Sequence, residues 1–200
     1  MTARMLAAAM RLITGITPRW VGCLPDSRPR VYFANHSSHL DGPTIWAVLP
    51  RNVRNLTRPV AALDYWTRGK FRKYLATEVF NAILVDRRAP TPRNNPLDQM
   101  LKAIGDTGSI IVFPEGGRFN GLDPVVFKAG LYHIARKRPD LELVPVLLDN
   151  LNRILPKGEL LPVPFIASVT FGAPIRLEVG ESRDPFLTRA REAVMTLRQS

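Results

Sequence analysis

The chain has 200 residues, of which 46% are hydrophobic and 22% are charged. This length and this balance are typical of one globular domain and exclude a largely disordered chain. The 28 lysines and arginines outnumber the 17 acidic residues, and the net charge of +11 favours nucleic acid, an anionic membrane or phosphorylated substrates as partners. No zinc-finger spacing, aromatic RNA-binding pattern or basic region with heptads occurs, so we expect a membrane or a phosphate group rather than nucleic acid.

Residues 1–20 are predicted to form a separate, amphipathic N-terminal helix. Apolar side chains share one face of its first turns, and Arg4 and Arg11 share the opposite face. Two placements fit this pattern: a helix on a membrane surface, or a helix docked on the domain formed by residues 21–200. No stretch approaches the roughly 18 uninterrupted apolar residues that span a bilayer. Cys23 is the only cysteine, which excludes an intrachain disulfide and suits a reducing cytoplasm.

Short apolar runs then alternate with helical patterns, which predicts an α/β fold. Strands are expected near residues 31–34, 58–63, 82–85, 109–113, 141–148 and 165–171. Helices are expected near residues 42–49, 65–80, 97–104 and 125–136, and from residue 184 onward. The helix at 65–80 is predicted to break near Thr77, and Pro145 marks an edge, a bulge or a kink in its strand.

His36 and Asp41 lie five positions apart, on the turn between the first predicted strand and the helix that follows it. On a continuous helix this spacing would hold the side chains about 140° apart, whereas a tight turn can fold the Asp41 carboxylate onto the imidazole. A carboxylate on one ring nitrogen fixes the tautomer and raises the basicity of the other nitrogen, as a general base requires. A second explanation is that Asp41 caps the helix, with Pro43 in its first turn.

Polar side chains follow three of the predicted strands. His36 and Asp41 follow the first strand, Arg87 follows the third, and Glu115 and Arg118 follow the fourth. Ligands of open α/β sheets bind at the carboxyl ends of the strands. We therefore expect these side chains to converge on one crevice.

Three stretches of the sequence resemble successive blocks of the glycerolipid acyltransferase family, which includes 1-acylglycerol-3-phosphate O-acyltransferases. They are NHSSHLD at 35–41, VDRR at 85–88 and VFPEGGRF at 112–119, and Val-Pro-Val at 144–146 matches a fourth block. The first block has the family's pattern of a histidine, four residues and an aspartate (HX4D). The sequence departs from the family at Gly117, where threonine is usual, and at Phe119, where serine is usual. Both positions border the acceptor pocket in the family.

The resemblance implies a single α/β domain over residues 21–200, with a mixed, mostly parallel central sheet flanked by helices. It implies transfer of a fatty acyl group from acyl-CoA or an acyl-carrier protein (ACP) to a hydroxyl of a lysophospholipid such as 1-acylglycerol-3-phosphate, in phospholipid biosynthesis. His36 would be the general base and Asp41 its orienting partner. No metal and no further cofactor are implied. The residues implied to bind the acceptor are Arg87, Glu115, Gly116 and Arg118.

Guanidinium groups suit this role because their planar donors match the oxygens of a phosphate. Glu115 cannot bind a phosphate, so we expect it to orient Arg118 or to accept a hydrogen bond from an acceptor hydroxyl. Backbone N–H groups of residues 37–40 or of the Gly116-Gly117 turn are candidates to stabilise the oxyanion of the thioester, and the sequence does not rank them. Residues 127–130 either shape the site or simply begin a helix.

The expected partners are a lysophospholipid or glycerol-phosphate acceptor, acyl-CoA or ACP, and the membrane surface. Such an enzyme would be cytoplasmic and peripherally associated with the cell inner membrane. The alternative is a non-catalytic, basic lipid-binding protein of the membrane surface that keeps the acyltransferase fold. The complete set of polar residues argues against this alternative, since binding alone does not require a positioned base.

Overall fold

The computed structural model describes residues 5, 8, 11, 15–38, 40–86, 94–118, 126–149 and 168–199. Within these residues one sheet has seven strands: β1 (Thr17–Trp20), β2 (Arg30–Ala34), β3 (Thr57–Ala62), β4 (Ile83–Val85), β5 (Ser109–Val112), β6 (Glu142–Asp149) and β7 (Ser168–Phe171). The labelled helices are α1 (Asp41–Val48), α2 (Arg51–Leu56), α3 (Leu63–Trp66), α4 (Lys70–Tyr74), α5 (Pro96–Ile104), α6 (Gly130–Lys137) and α7 (Arg183–Thr196). A π-helical turn spans Leu75–Val79, and a 3₁₀ turn spans Leu197–Gln199.

The sheet has the strand order β1-β7-β6-β2-β5-β3-β4. The pair β6–β7 is antiparallel and every other neighbouring pair is parallel, which confirms the predicted mixed, mostly parallel sheet. The carboxyl ends of β2 to β6 therefore lie at one edge. The turns that follow the adjacent strands β2 and β5 carry His36 and Glu115.

Apolar layers with helices cover both faces of the sheet. On one face, Trp46 of α1 meets Phe80 edge to face, with ring centroids 5.2 Å apart. On the other face, α5, α6 and α7 pack on the sheet, and Ile134 of α6 is buried there. Strand β2 supplies both layers, because successive side chains of a strand point to opposite faces: Tyr32 joins the first layer and Phe33 the second.

Two strands differ from the sequence-based expectation. Thr17–Trp20, assigned to the N-terminal helix, forms the edge strand β1, so the sheet begins before residue 21. Pro145 lies in β6, which is an internal strand and not an edge. Its carbonyl accepts a hydrogen bond from Gly172 N at 2.9 Å, one position beyond the last β6–β7 pair, Val146–Phe171. The N–H that Pro145 lacks thus falls where the β6–β7 ladder ends, so proline is acceptable at this position.

Two helices also differ from the sequence-based expectation in where they break or begin. The helix predicted at 65–80 breaks at Gly69, whose φ of 95° is a conformation that glycine adopts readily, and not near Thr77. Thr77 lies instead within the π-helical turn. The helix predicted from residue 125 begins at Gly130, because residues 126–128 have no helical structure.

In the N-terminal segment the structure describes Met5, Ala8 and Arg11, which are helical and exposed. Arg11 Nε donates to Ala47 O at 2.9 Å and its Nη2 donates to Leu49 O at 3.4 Å, so this side chain caps the C-terminal end of α1. The remainder of residues 1–14 lies outside the described residues, as do residues 119–125 and 165–167, and the amphipathic helix stays a prediction. No helix in the described ranges is long and apolar enough to cross a membrane.

Candidate active site

The histidine and the aspartate of the HX4D pattern are in contact. His36 follows β2 and Asp41 begins α1, and His36 Nδ1 lies 2.8 Å from Asp41 Oδ2. Because a carboxylate accepts but does not donate, this contact selects the neutral tautomer with its proton on Nδ1 and its lone pair on Nε2. The pair therefore has the geometry of a general base with its orienting group.

The Asp41 carboxylate closes the turn that holds it. Its Oδ2 also accepts the N–H groups of Ser37 at 2.7 Å and Ser38 at 2.8 Å, and the side chain is fully buried. These donors precede α1, so the carboxylate does not cap the free N–H groups of the helix. The simple capping explanation is wrong, and the hydrogen bonds instead fix the turn around His36.

Asn35 attaches this turn to the neighbouring strand. Its Nδ2 donates to Leu148 O at 2.9 Å, and its Oδ1 accepts from Leu148 N at 2.8 Å. Both polar ends of the amide are thus bonded to the backbone of β6. Because β6 pairs with β2, the residue before His36 is fixed on a rigid element.

His36 lies in the wall of a cavity of about 310 Å³. Its ring stacks on Phe113, with the centroids 4.1 Å apart and the planes 20° apart, which sets the ring orientation. Most of the wall is apolar. Within the described residues two cationic side chains line it, Arg118 and Lys128. The apolar residues of the wall include Val60, Ala62, Tyr65, Trp66, Ala76, Phe80, Val85, Met100, Leu131 and Ile134.

Glu115 supports the turn that carries His36 from the adjacent strand end. Its Oε1 accepts the backbone N–H of His36 at 3.0 Å, and the side chain is buried away from the cavity wall. Arg118 makes no ion pair with it among the described residues. The expected contact with Arg118 is therefore not made, and Glu115 instead holds the backbone of His36. A part for Glu115 in acceptor binding stays a prediction.

The environment of Glu115 disfavours its charge. The pKa of Glu115 is raised to about 7, chiefly by burial; the hydrogen bond from the His36 backbone opposes the rise, and the nearby charge of Asp41 adds to it. Within the described residues, Glu115 Oε2 and Asp41 Oδ1 are both buried without a hydrogen-bond partner. A proton on Glu115 would remove the repulsion between these two carboxylates.

Lys128 reaches the site because residue 116 is a glycine. Gly116 has a φ of 71°, and a Cβ placed on it would lie 2.6 Å from Lys128 Nζ and 2.8 Å from Lys128 Cε. The Lys128 backbone N–H donates to Pro114 O at 2.8 Å, which ties the two segments together. Sequence reasoning considered residues 127–130 but did not assign Lys128 to the site. The sequence signal for this role was Gly116, because a glycine leaves room for a long side chain such as that of Lys128.

The predicted convergence holds for two of the three strand ends. His36, Gly116 and Arg118 line one cavity, and Asp41 and Glu115 lie behind His36. Arg87 lies outside the described residues, so its part in the site stays a prediction. The strand that precedes it ends at Val85, which lines the same cavity.

Most backbone N–H groups near His36 are already bonded. Those of Ser37 and Ser38 donate to Asp41, that of Leu40 donates to Ser38 Oγ, and that of Gly116 donates to Phe113 O. The Gly117 N–H has no acceptor among the described residues, and Gly117 lines the cavity. Of the two backbone N–H groups in the Gly116-Gly117 turn, that of Gly117 is therefore the one that can donate to a ligand.

Residues 21–149 match the model of a family described as Acyltransferase, and this range contains every candidate residue named above. The chain is 29% identical over 168 residues to a 1-acyl-sn-glycerol-3-phosphate acyltransferase from Haemophilus influenzae, with 70% of this chain and 65% of the relative covered. It is 25% identical over 166 residues to the protein named Taffazin from Dictyostelium discoideum, with 78% of this chain and 55% of the relative covered. The chain thus spans less than two thirds of the length of each relative.

The fold is similar to that of a solved structure, the 1-acyl-sn-glycerophosphate (LPA) acyltransferase PlsC from Thermotoga maritima. The TM-score is 0.77 at 18% sequence identity, with 99% of this chain and 78% of that chain covered. This likeness supports the α/β architecture described above.

Proposed function

Because this chain belongs to the acyltransferase family, we propose that it transfers a fatty acyl group from acyl-CoA or acyl-ACP to a hydroxyl of a lysophospholipid such as 1-acylglycerol-3-phosphate, in phospholipid biosynthesis. The observation that carries the proposal is the contact of His36 Nδ1 with Asp41 Oδ2 at 2.8 Å, with His36 in the wall of a largely apolar cavity. The similarity to the Haemophilus influenzae enzyme supports the choice of acceptor.

The reaction requires one base and no covalent enzyme intermediate. His36 Nε2 takes the proton of the acceptor hydroxyl as its oxygen attacks the thioester carbonyl, and an oxyanion forms on the carbonyl oxygen. When this intermediate collapses, the C–S bond breaks and the new C–O ester bond remains. His36 then gives its proton to the departing thiolate. Asp41 stabilises the imidazolium that exists between these two proton transfers.

Arg118 and Lys128 supply positive charge beside the base. Both line the cavity with His36, and a phosphate on the acceptor can accept hydrogen bonds from both. Binding of the phosphate there would hold the glycerol hydroxyl close to the imidazole, which lowers the entropic part of the barrier. The apolar part of the wall suits the acyl chain of a substrate.

The Gly117 N–H is the proposed donor to the oxyanion. It lines the cavity with His36, and among the described residues it has no competing acceptor. A fixed backbone N–H that meets the charge only when it develops lowers the barrier without a large reorganisation. Gly117 thereby gains a role at a position where the family usually has threonine.

The substrate and the charge of the chain suggest where the protein works. A lysophospholipid acceptor resides in a bilayer, and a net charge of +11 favours anionic lipid. The proposed location is the cytoplasmic face of the inner membrane, with peripheral attachment.

A His36→Ala variant tests the proposal against the non-catalytic alternative. Thiol release from acyl-CoA in the presence of lysophosphatidate should fall by roughly 10²–10⁴-fold, while vesicle binding stays unchanged. His133→Ala is the matched control, because His133 is an exposed histidine of α6 outside the cavity wall. Full activity of His36→Ala would refute the mechanism. If the wild-type protein binds lipid but transfers no acyl group from either donor, the lipid-binding alternative is correct.

A further inference from the structure

An exposed surface beside the cavity combines basic and aromatic side chains. We call it the basic aromatic face and define it as Arg68, Lys70, Phe71, Lys73 and Tyr74. All five are exposed, and Phe71 and Tyr74 have 72% and 46% of their surface in contact with solvent. Exposed apolar side chains that form a contiguous patch mark sites of interaction with a protein or a membrane.

Helical geometry groups these residues. Positions three apart lie on the same side of a helix, so Phe71 and Tyr74 share one side of Lys70–Tyr74, and Lys70 and Lys73 share the adjacent side. The π-helical turn Leu75–Val79 follows directly, and Ala76 and Val79 in it are buried. The face is therefore the exposed beginning of a segment whose next turn packs on the core.

The charge on this face is not neutralised. Between residues 65 and 77 the sequence has four basic residues and no acidic one. Arg68, Lys70 and Lys73 form no ion pair with any described residue. Arg72, which completes the set, lies with its guanidinium 4.7 Å from the centre of the Tyr65 ring. Such a surface attracts a polyanion.

The same segment forms a wall of the cavity that holds His36. Tyr65, Trp66, Ala76 and Phe80 line the cavity, while Phe71 and Tyr74 are exposed and do not line it. A bilayer that contacts the basic aromatic face would thus lie one helix away from the catalytic site. A lipid acceptor would have only a short path from the bilayer to the base.

We propose that the basic aromatic face docks the protein on an anionic lipid bilayer. Aromatic rings favour the headgroup region, and lysine and arginine beside them favour anionic headgroups. The exposed aromatic pair favours a bilayer over an acidic protein, since a bilayer can bury both rings. This inference rests on the proposed function for its biological purpose, because a lipid acceptor gives the surface a reason to lie beside the cavity.

Vesicle sedimentation tests the docking without any turnover. The full-length protein is mixed with phosphatidylcholine vesicles that contain or lack phosphatidylglycerol. Phe71→Ser with Tyr74→Ser, and separately Lys70→Gln with Lys73→Gln, should each weaken binding to the anionic vesicles by roughly tenfold or more. Val179→Ser and Lys137→Gln are the matched controls, since Val179 is fully exposed and Lys137 is exposed elsewhere on the surface. Binding should be unchanged in both.

An assay with a short-chain, fully dissolved lysophosphatidate separates this proposal from the proposed function. The face variants should keep wild-type rates with this acceptor and lose activity only when the acceptor is presented in vesicles. Wild-type vesicle binding by both double variants would overturn the docking proposal. The docking proposal would also be overturned if the face variants kept vesicle binding but lost activity only with acyl-ACP as the donor. The face would then bind the acidic carrier protein. If the proposed function is wrong, the wild-type protein will be inactive with the dissolved acceptor. The vesicle-binding measurement is independent of that result.

Discussion

The backbone N–H of His36 donates a hydrogen bond to Glu115 Oε1 at 3.0 Å, across 79 positions of the sequence. The contact exists because β2 and β5 are neighbours in the sheet and both end at the same edge. A buried carboxyl group from one strand end thus supports the turn that carries His36. Its protonation is linked to the stability of that turn.

The pH dependence of stability should report on Glu115. Its pKa is raised from 4.5 to about 7, so between these values the native state holds more protons than the unfolded state. The free energy of unfolding therefore falls as pH rises through this window, with a slope of up to about 1.4 kcal/mol per pH unit from this group. Glu115→Gln keeps an oxygen for the His36 N–H but cannot ionise, so the slope should become less negative.

Urea unfolding at several pH values between 4.5 and about 7 measures this slope. Glu192→Gln is the control, because Glu192 is an exposed glutamate of α7. If Glu115→Gln and the wild-type protein have the same slope, Glu115 is not the group that titrates.

Asp41→Asn should leave the turn in place and remove most of the activity. The amide oxygen can still accept the N–H groups of Ser37 and Ser38, but a neutral amide does not stabilise the imidazolium formed during proton transfer. The expected loss in kcat is roughly 10²–10⁴-fold, with little change in the KM for the donor. The control is Asp98→Asn, because Asp98 is an exposed residue paired with Lys137. A loss below about tenfold would show that Asp41 is not needed to support the base.

Removal of either cation of the cavity should affect charged acceptors most. Arg118→Gln and Lys128→Gln should each raise the KM for lysophosphatidate by roughly tenfold, because each removes a charge-assisted hydrogen bond to the phosphate. A monoacylglycerol, which lacks the phosphate, should show little change. Lys102→Gln controls for net charge, since Lys102 is exposed on α5. Equal effects on both acceptors would place the phosphate elsewhere.

Local patterns were sufficient to place His36 and Glu115 after strands. Apolar runs end just before both residues, and that signal lies within a few positions of each. The contact between His36 and Glu115 could not be predicted from these local patterns, because it depends on which strands are neighbours in the sheet. Periodicity within a strand carries no information about strand order.

Other features were missed for related physical reasons. Thr17–Trp20 is a short edge strand with alternating burial, and its pattern merged with the helical pattern before it. Lys128 enters the site from a segment that is not helical, over a glycine twelve positions earlier. Contacts made by loops depend on backbone angles such as the φ of 71° at Gly116, which composition alone does not reveal.

Gly116 and Gly117 should tolerate alanine very differently. At Gly116 the positive φ and the clash with Lys128 should destabilise the fold by about 1–3 kcal/mol and displace Lys128 from the cavity. At Gly117 a Cβ would meet no atom within 4 Å, so Gly117→Ala should leave the melting temperature unchanged. Thermal unfolding of the two variants measures the difference. Equal melting temperatures would mean that neither the positive φ nor the displacement of Lys128 costs stability.

Gly117→Pro tests the proposed oxyanion donor, because proline has no N–H. With Gly117→Ala as the matched control that keeps the N–H, the proline variant should lose roughly 10–10³-fold in kcat. The KM for lysophosphatidate should change little, since the acceptor is held by Arg118 and Lys128 and the lost donor acts on the developing charge. Single-turnover acyl transfer separates this effect from product release, and the melting temperature checks that the turn has survived. A stable proline variant with the activity of Gly117→Ala would show that another group stabilises the oxyanion.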